Sequence, residues 1–269
     1  FLSIPWHLYD PETDRPALWL SSAKYSKLWA HPAHGGRADC FDIPDSAELV
    51  APDAAHAPAC PALLGLVTGE RRWLVAGVTQ ACWHLAYQNW GNRQRSPVWT
   101  WNARILWWGM RDLGLGWLCA KALGWAEHEA EFDDALRRMA EWMAEAMGTQ
   151  HLRLAGVFDV DWGTGGLDES WGTCMGLSPW QANMSLGVLG WLVNMGRSEF
   201  IPALDYALEG MEMRTRAQRA IMAKADAPVA VVYRLPVTKA QSYAPPEKKG
   251  PGDPESYQWP ASRDEMVAM

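Results

Sequence analysis

From residue 59 onward, apolar residues recur every three to four positions, the spacing of helices that bury one face. The stretch "ACPALLGLV" (59–67) predicts a short helix, and Thr68-Gly69 supplies its stop. A second helix is predicted over about 70–89, with Trp73, Leu74, Gly77, Val78, Ala81 and Leu85 on one face. After the loop "WGNRQRSP", a third runs over about 98–123. A fourth over about 130–147 buries Phe132, Leu136, Met139 and Trp142. Acidic residues from Glu127 to Asp134 suit its positive N-terminal end.

A long polar stretch, 148–177, separates these from a fifth helix that opens on "SPWQ". There Ser178 fits the N-cap, Pro179 the first helical position and Gln181 the far side of a capping box. This helix is expected to end at Asn194 before Gly196, and a sixth to run from about Ser198 to Ala223. "APVAVVYRLPV" (227–237) then reads as a strand, and the Pro-rich remainder as an arm. Residues 1–58 have no sustained period and read as irregular, with short helices or strands. The expected organisation is therefore an irregular segment over 1–58, a helical domain over 59–224, and a strand plus arm over 225–269. Three antiparallel helix pairs predict an all-α fold of stacked hairpins. No repeat of fixed length marks a regular solenoid.

Composition narrows the partners. The 269 residues are 49% apolar and 20% charged, with a formal net charge of −7. That balance is globular and lacks the basic stripes of a nucleic-acid binder. No apolar run reaches the roughly eighteen residues a membrane-spanning helix needs. The chain opens on Phe1 without a signal-peptide pattern, so it is expected to continue from a longer polypeptide. Its five cysteines are odd in number and widely spaced, which suits buried thiols in a chain made in a reducing cytosol. No cofactor motif is visible, and no histidine spacing marks a metal site.

Tryptophan is the most unusual component, eighteen in all. Such rings build large-residue cores, and they also stack on the C–H faces of sugar rings. Five of them fall in "WTWNARILWWGMRDLGLGW" (99–117), where Arg104 and Arg111 lie two turns apart on one helix face. Trp101, Arg104, Trp108 and Arg111 are expected to share a face bordering a cleft, with at least one arginine serving as an internal clamp. Asp53 and His56 suit either a helix start or a carboxylate-oriented general base. The loop "FDVDWGTGGLDESW" offers Asp159, Asp161, Asp168 and Glu169 beside Trp162 and Trp171. Glycoside hydrolysis would need two such carboxyls close together. A calcium loop is not indicated, because the glutamate at its twelfth position is missing. Trp180, Gln181 and Asn183 open the fifth helix and could stack on and hydrogen-bond a glycan, although the capping box also claims Gln181.

Three stretches carry a family resemblance. They are "DAAHAPACPALLGLVTGERRWL" (Asp53, His56, Pro58, Thr68, Gly69, Glu70, Trp73, Leu74), "WNARILWWGMRDLG" (Arg104, Trp107 or Trp108, Arg111) and "SPWQANMSLGVLGWLVNMG". Together they resemble bacterial and phage-associated (α/α) toroid proteins, related in architecture to six-hairpin glycosidases and polysaccharide lyases. The chain departs from that pattern at Asn102, Ile105, Ala182 and Asn183. The resemblance implies an incomplete (α/α) toroid that binds, and in an enzymatic version cleaves, a polysaccharide or other glycan. Catalysis would then fall to His56, Asp53, Asp161, Asp168 and Glu169. The alternative is a non-catalytic structural or adhesion module that meets other subunits of a virion or similar assembly.

Overall fold

The computed structural model describes residues 8–26, 57, 59–88, 90–98, 103–147, 175–177, 179–224 and 235–237. These are mostly helical, with four short strands among them. The chain divides into two compact units, Phe1–Trp142 and Met143–Met269.

In the first unit, β1 (Tyr9–Asp10) pairs antiparallel with β2 (Arg15–Pro16). The helices are α1 (Cys60–Thr68), α2 (Arg71–Tyr87), α3 (Trp90–Arg93), α4 (Ala103–Leu123) and α5 (Ala126–Met147), which ends in the second unit. Gly69 stops α1 in the left-handed conformation (φ 72°), its N–H donating to Gly65 O at 2.8 Å. Only two residues separate α1 from α2, so the two pack as a hairpin.

α2 also packs antiparallel on α4: Gly77 lies beside Cys119, Ala81 beside Gly116 and His84 beside Gly109. Small residues set this spacing. A Cβ on Gly116 would lie 2.4 Å from the Ala81 Cβ, and one on Gly77 would lie 2.8 Å from the Cys119 sulfur. Leu85, Leu106, Met110 and Leu113 are buried, as are the free thiols of Cys82 and Cys119, the latter beside Gly77 in the seam.

The fourth helix begins earlier than its apolar period suggests. Gly124 (φ 67°) ends α4, and Trp125 at once starts α5, its carbonyl accepting from Glu129 N at 2.9 Å. The tight turn recruits Glu127 and Glu129 into the first turn of α5, where their charge suits the helix dipole. The loop after α2 also contains a turn of helix, α3, too short to show a period.

Residues 8–26 form a strap held by buried polar groups. Glu131 on α5 accepts from the backbone N–H groups of Trp19 (2.5 Å), Leu20 (3.1 Å) and Ser21 (3.0 Å), and from the Ser21 hydroxyl. Arg93 on α3 donates to the carbonyls of Trp19 (3.1 Å) and Gln88 (2.8 Å), with its guanidinium over the Trp19 ring. One anion thus satisfies the strap's donors and one cation its acceptors, which is what burial of irregular backbone requires. His128 completes the hold, its Nε2–H donating to Pro16 O at 2.7 Å.

In the second unit, β3 (Met175–Leu177) pairs antiparallel with β4 (Leu235–Val237), and α6 (Pro179–Asn194) packs on α7 (Ile201–Lys224). Their connection turns at Gly196 (φ 93°) and through a 3-10 turn over Ser198–Phe200, with Phe200 buried. Of the predicted strand over 227–237, only 235–237 falls among the described residues, and it is extended.

Two outcomes test this packing. Gly116→Ala should destabilise the protein by about 1–3 kcal/mol in urea unfolding, because overpacking outweighs the roughly 1 kcal/mol gained in helix propensity. A stabilised variant would contradict the seam. The second concerns His128, whose pKa burial holds below the usual 6.5. The unfolded chain then binds the extra proton, so this group's stabilisation is present above about pH 6.5 and is lost as the pH falls through the depressed value. Burial pushes Glu131 the other way, above the usual carboxylate range, so its contribution is lost as the pH rises. The informative quantity is therefore a difference: from pH 7 to 5, wild type should lose more thermal stability than His128→Gln. Parallel profiles would contradict the assignment.

Candidate functional site

α4 places Arg104, Trp108 and Arg111 at i, i+4 and i+7, a single stripe along its surface. Arg104 and Trp108 are half-buried, whereas the adjacent Trp107 belongs to the core. The Arg111 guanidinium carbon lies 4.3 Å from the centre of the Trp108 ring, a close cation–π stack. The indole N–H of Trp108 is enclosed, so its outward surface is the ring.

Arg111 is held from behind by the neighbouring Asp112. Its Nε and Nη2 donate to one carboxylate oxygen at 2.9 and 2.7 Å, and Nη2 also donates to Ala57 O, just before α1. The other carboxylate oxygen accepts from Gln80 Nε2 at 2.8 Å and His84 Nε2 at 3.0 Å, both on α2. Four donors fill the acceptor sites of an ionised carboxylate. Asp112 therefore ties α4 to α2 directly, and to the approach to α1 through Arg111.

An imidazole oriented by a carboxylate is the geometry of an acid–base pair. Here the His84 side chain is 1% exposed, and its Nδ1, which has no hydrogen-bond partner, faces the backbone at Gly109. No substrate atom reaches that nitrogen in this conformation, so the pair acts as a structural clamp. Arg111 differs in that 17% of its side chain remains exposed. The stripe thus presents one edge of a fixed guanidinium and one face of an indole.

Gln80, His84 and Asp112 are the polar residues that spacing alone passes over. Their available signal is local: Gln80 and His84 stand four apart on an otherwise apolar helix face, and Asp112 is the single carboxylate in α4. Trp101, Asp53, His56, Asp161, Trp162, Asp168, Glu169 and Trp171 have side chains outside the described residues, as have Asp159 and Ser178. Trp180 and Gln181 lie in the first turn of α6, where the helix but not their side chains is described. Asn183 is exposed on the same helix, in the second unit.

Among the described residues, no three His, Cys, Asp or Glu side chains converge as a metal set, and no helix is long and apolar enough to cross a membrane. No family model matches this chain, nor does any curated protein or solved structure.

Asp112→Asn should cost about 3–5 kcal/mol in chemical denaturation, as expected when one partner of a buried charged network is removed. A loss below about 1 kcal/mol would mean that the clamp is not what joins α2 to α4.

Proposed function

We propose that the chain is a carbohydrate-interacting helical domain, and that its hairpins belong to an incomplete (α/α) toroid. The observation that carries this reading is the Arg111–Trp108 pair: a guanidinium fixed by Asp112, stacked on a half-buried indole and still partly open to solvent. Sugar rings offer a C–H face to an indole and hydroxyls or a uronate carboxylate to an arginine fork. Because the clamp fixes the fork beforehand, a ligand would meet it with little ordering cost. Arg104, one stripe position away, would extend the same surface. Consecutive antiparallel packing of α1, α2 and α4 is the hairpin stacking that a toroid continues.

Cleavage, if the domain performs it, would rest on groups away from the clamp. Elimination would use His56 as base beside an arginine-neutralised uronate, and hydrolysis a carboxyl pair drawn from Asp53, Asp161, Asp168 and Glu169. A second reading, a structural module of a larger assembly, is favoured by one observation. Leu63, Leu64 and Val67 are exposed along α1, Val67 to 85%, which is an unusual share of apolar surface for so short a helix.

A panel of neutral and uronic polysaccharides separates the two readings. Tryptophan fluorescence reports binding, new reducing ends report cleavage, and absorbance of an unsaturated product reports elimination. Uronic polymers should quench the fluorescence saturably, and Arg104→Ala and Arg111→Lys should each weaken binding by about tenfold or more, the worth of a charged hydrogen bond. A flat response from folded protein would transfer the weight to the assembly reading.

A further inference from the structure

A guanidinium carries five N–H groups, and in Arg111 the clamp consumes three of them. Nε donates to one Asp112 carboxylate oxygen at 2.9 Å, and Nη2 donates both to that oxygen at 2.7 Å and to the Ala57 carbonyl. The remaining two belong to Nη1. This nitrogen has no acceptor among the described residues and is not sealed in the interior, so it forms the open edge of the side chain. The guanidinium carbon lies 4.3 Å from the centre of the Trp108 ring, and Nη1, one bond further, lies within about 6 Å of it. A ligand that meets Nη1 therefore borders the indole.

Which nitrogen is left open decides what Arg111 can recognise. A guanidinium grips a carboxylate through two parallel N–H bonds from two nitrogens, either Nε with Nη2 or Nη1 with Nη2. Both pairs need Nη2, whose hydrogens are already placed on Asp112 and Ala57. A uronate carboxylate would reach Nη1 through one oxygen, without the second bond that makes the pair selective. Its charge would gain little, because Asp112 lies 2.7 Å from the same guanidinium and neutralises it. The two N–H groups of Nη1 diverge, so they suit two separate oxygens, such as neighbouring hydroxyls of one sugar ring.

We propose, on the glycan-binding reading above, that Arg111 reads the hydroxyls of a glycan through Nη1 and does not select for a uronate carboxylate. By taking the Nε–Nη2 edge, Asp112 leaves a donor for neutral oxygens where a carboxylate fork would otherwise stand.

Calorimetric titration with polygalacturonate and alginate, each as the sodium salt and as the methyl ester, separates the two kinds of contact. The ester keeps every hydroxyl of the chain and lacks the anionic carboxylate. Arg111→Gln should weaken binding of salt and ester by the same factor, about tenfold, the worth of a charged hydrogen bond. A carboxylate contact made elsewhere alters the wild-type affinities and cancels in that comparison. On partly O-acetylated ester the loss should shrink, because part of the contact is already gone. An undiminished loss there would mark Arg111 as purely structural and overturn the assignment. If circular dichroism shows that Arg111→Gln does not fold, Arg111→Lys takes its place, since it keeps the charge and loses the fixed planar nitrogen. A loss confined to the salts would overturn the assignment of Arg111 while leaving glycan binding intact. Folded wild-type protein that binds neither polymer in any form would overturn the glycan reading, and this assignment with it.

Discussion

The first unit depends on one buried carboxylate. Asp112 sits in the seam between α2 and α4 and takes donors from both, with Arg111 on one oxygen and Gln80 and His84 on the other. A buried charge is tolerated only when it is paired and its remaining acceptor sites are filled, and here both conditions hold. Small residues make the arrangement possible, because the seam is too narrow for a side chain at Gly77 or Gly116. Close backbones bring Gln80 and His84 within hydrogen-bonding reach of Asp112. The same carboxylate fixes Arg111 over Trp108, so an internal constraint determines what the surface displays.

A second use of buried charge holds the N-terminal strap. Glu131 gathers three consecutive backbone N–H groups and Arg93 gathers carbonyls from the same stretch, replacing the ladder that a strand would have supplied. Irregular backbone can then cross the helices with its polar groups satisfied. Both clamps follow one logic: a charge neutralised by fixed dipoles and neighbours specifies a geometry that apolar packing alone would leave loose.

Much of the helical framework was legible in the sequence. α1, α2 and the α6–α7 pair follow the three-to-four spacing closely, although α2 is buried all round from Ala76 to Ala86 rather than along one stripe. Arg104, Trp108 and Arg111 share a stripe of α4, as their spacing along a helix predicts, while Trp101, expected on the same face, lies outside the described residues. The start of α5 was not legible, since Trp125 begins it through a glycine turn rather than through its apolar period. The strap read as irregular, and locally it is; its order comes from Glu131 and Arg93, more than sixty residues away in sequence. The Gln80–His84–Asp112 set was missed because its members meet only across two helices, and partnership between helices leaves no spacing along the chain.

Asp112 and Arg111 act as one unit that both joins the helices and sets the surface. A double-mutant cycle on unfolding free energy, using Asp112→Asn, Arg111→Gln and the pair, measures that coupling directly. A coupling of at least about 1 kcal/mol is expected, typical of residues in one charged network. Single losses that add to within about 0.5 kcal/mol would contradict it and reduce Arg111 to a surface residue lying beside a carboxylate.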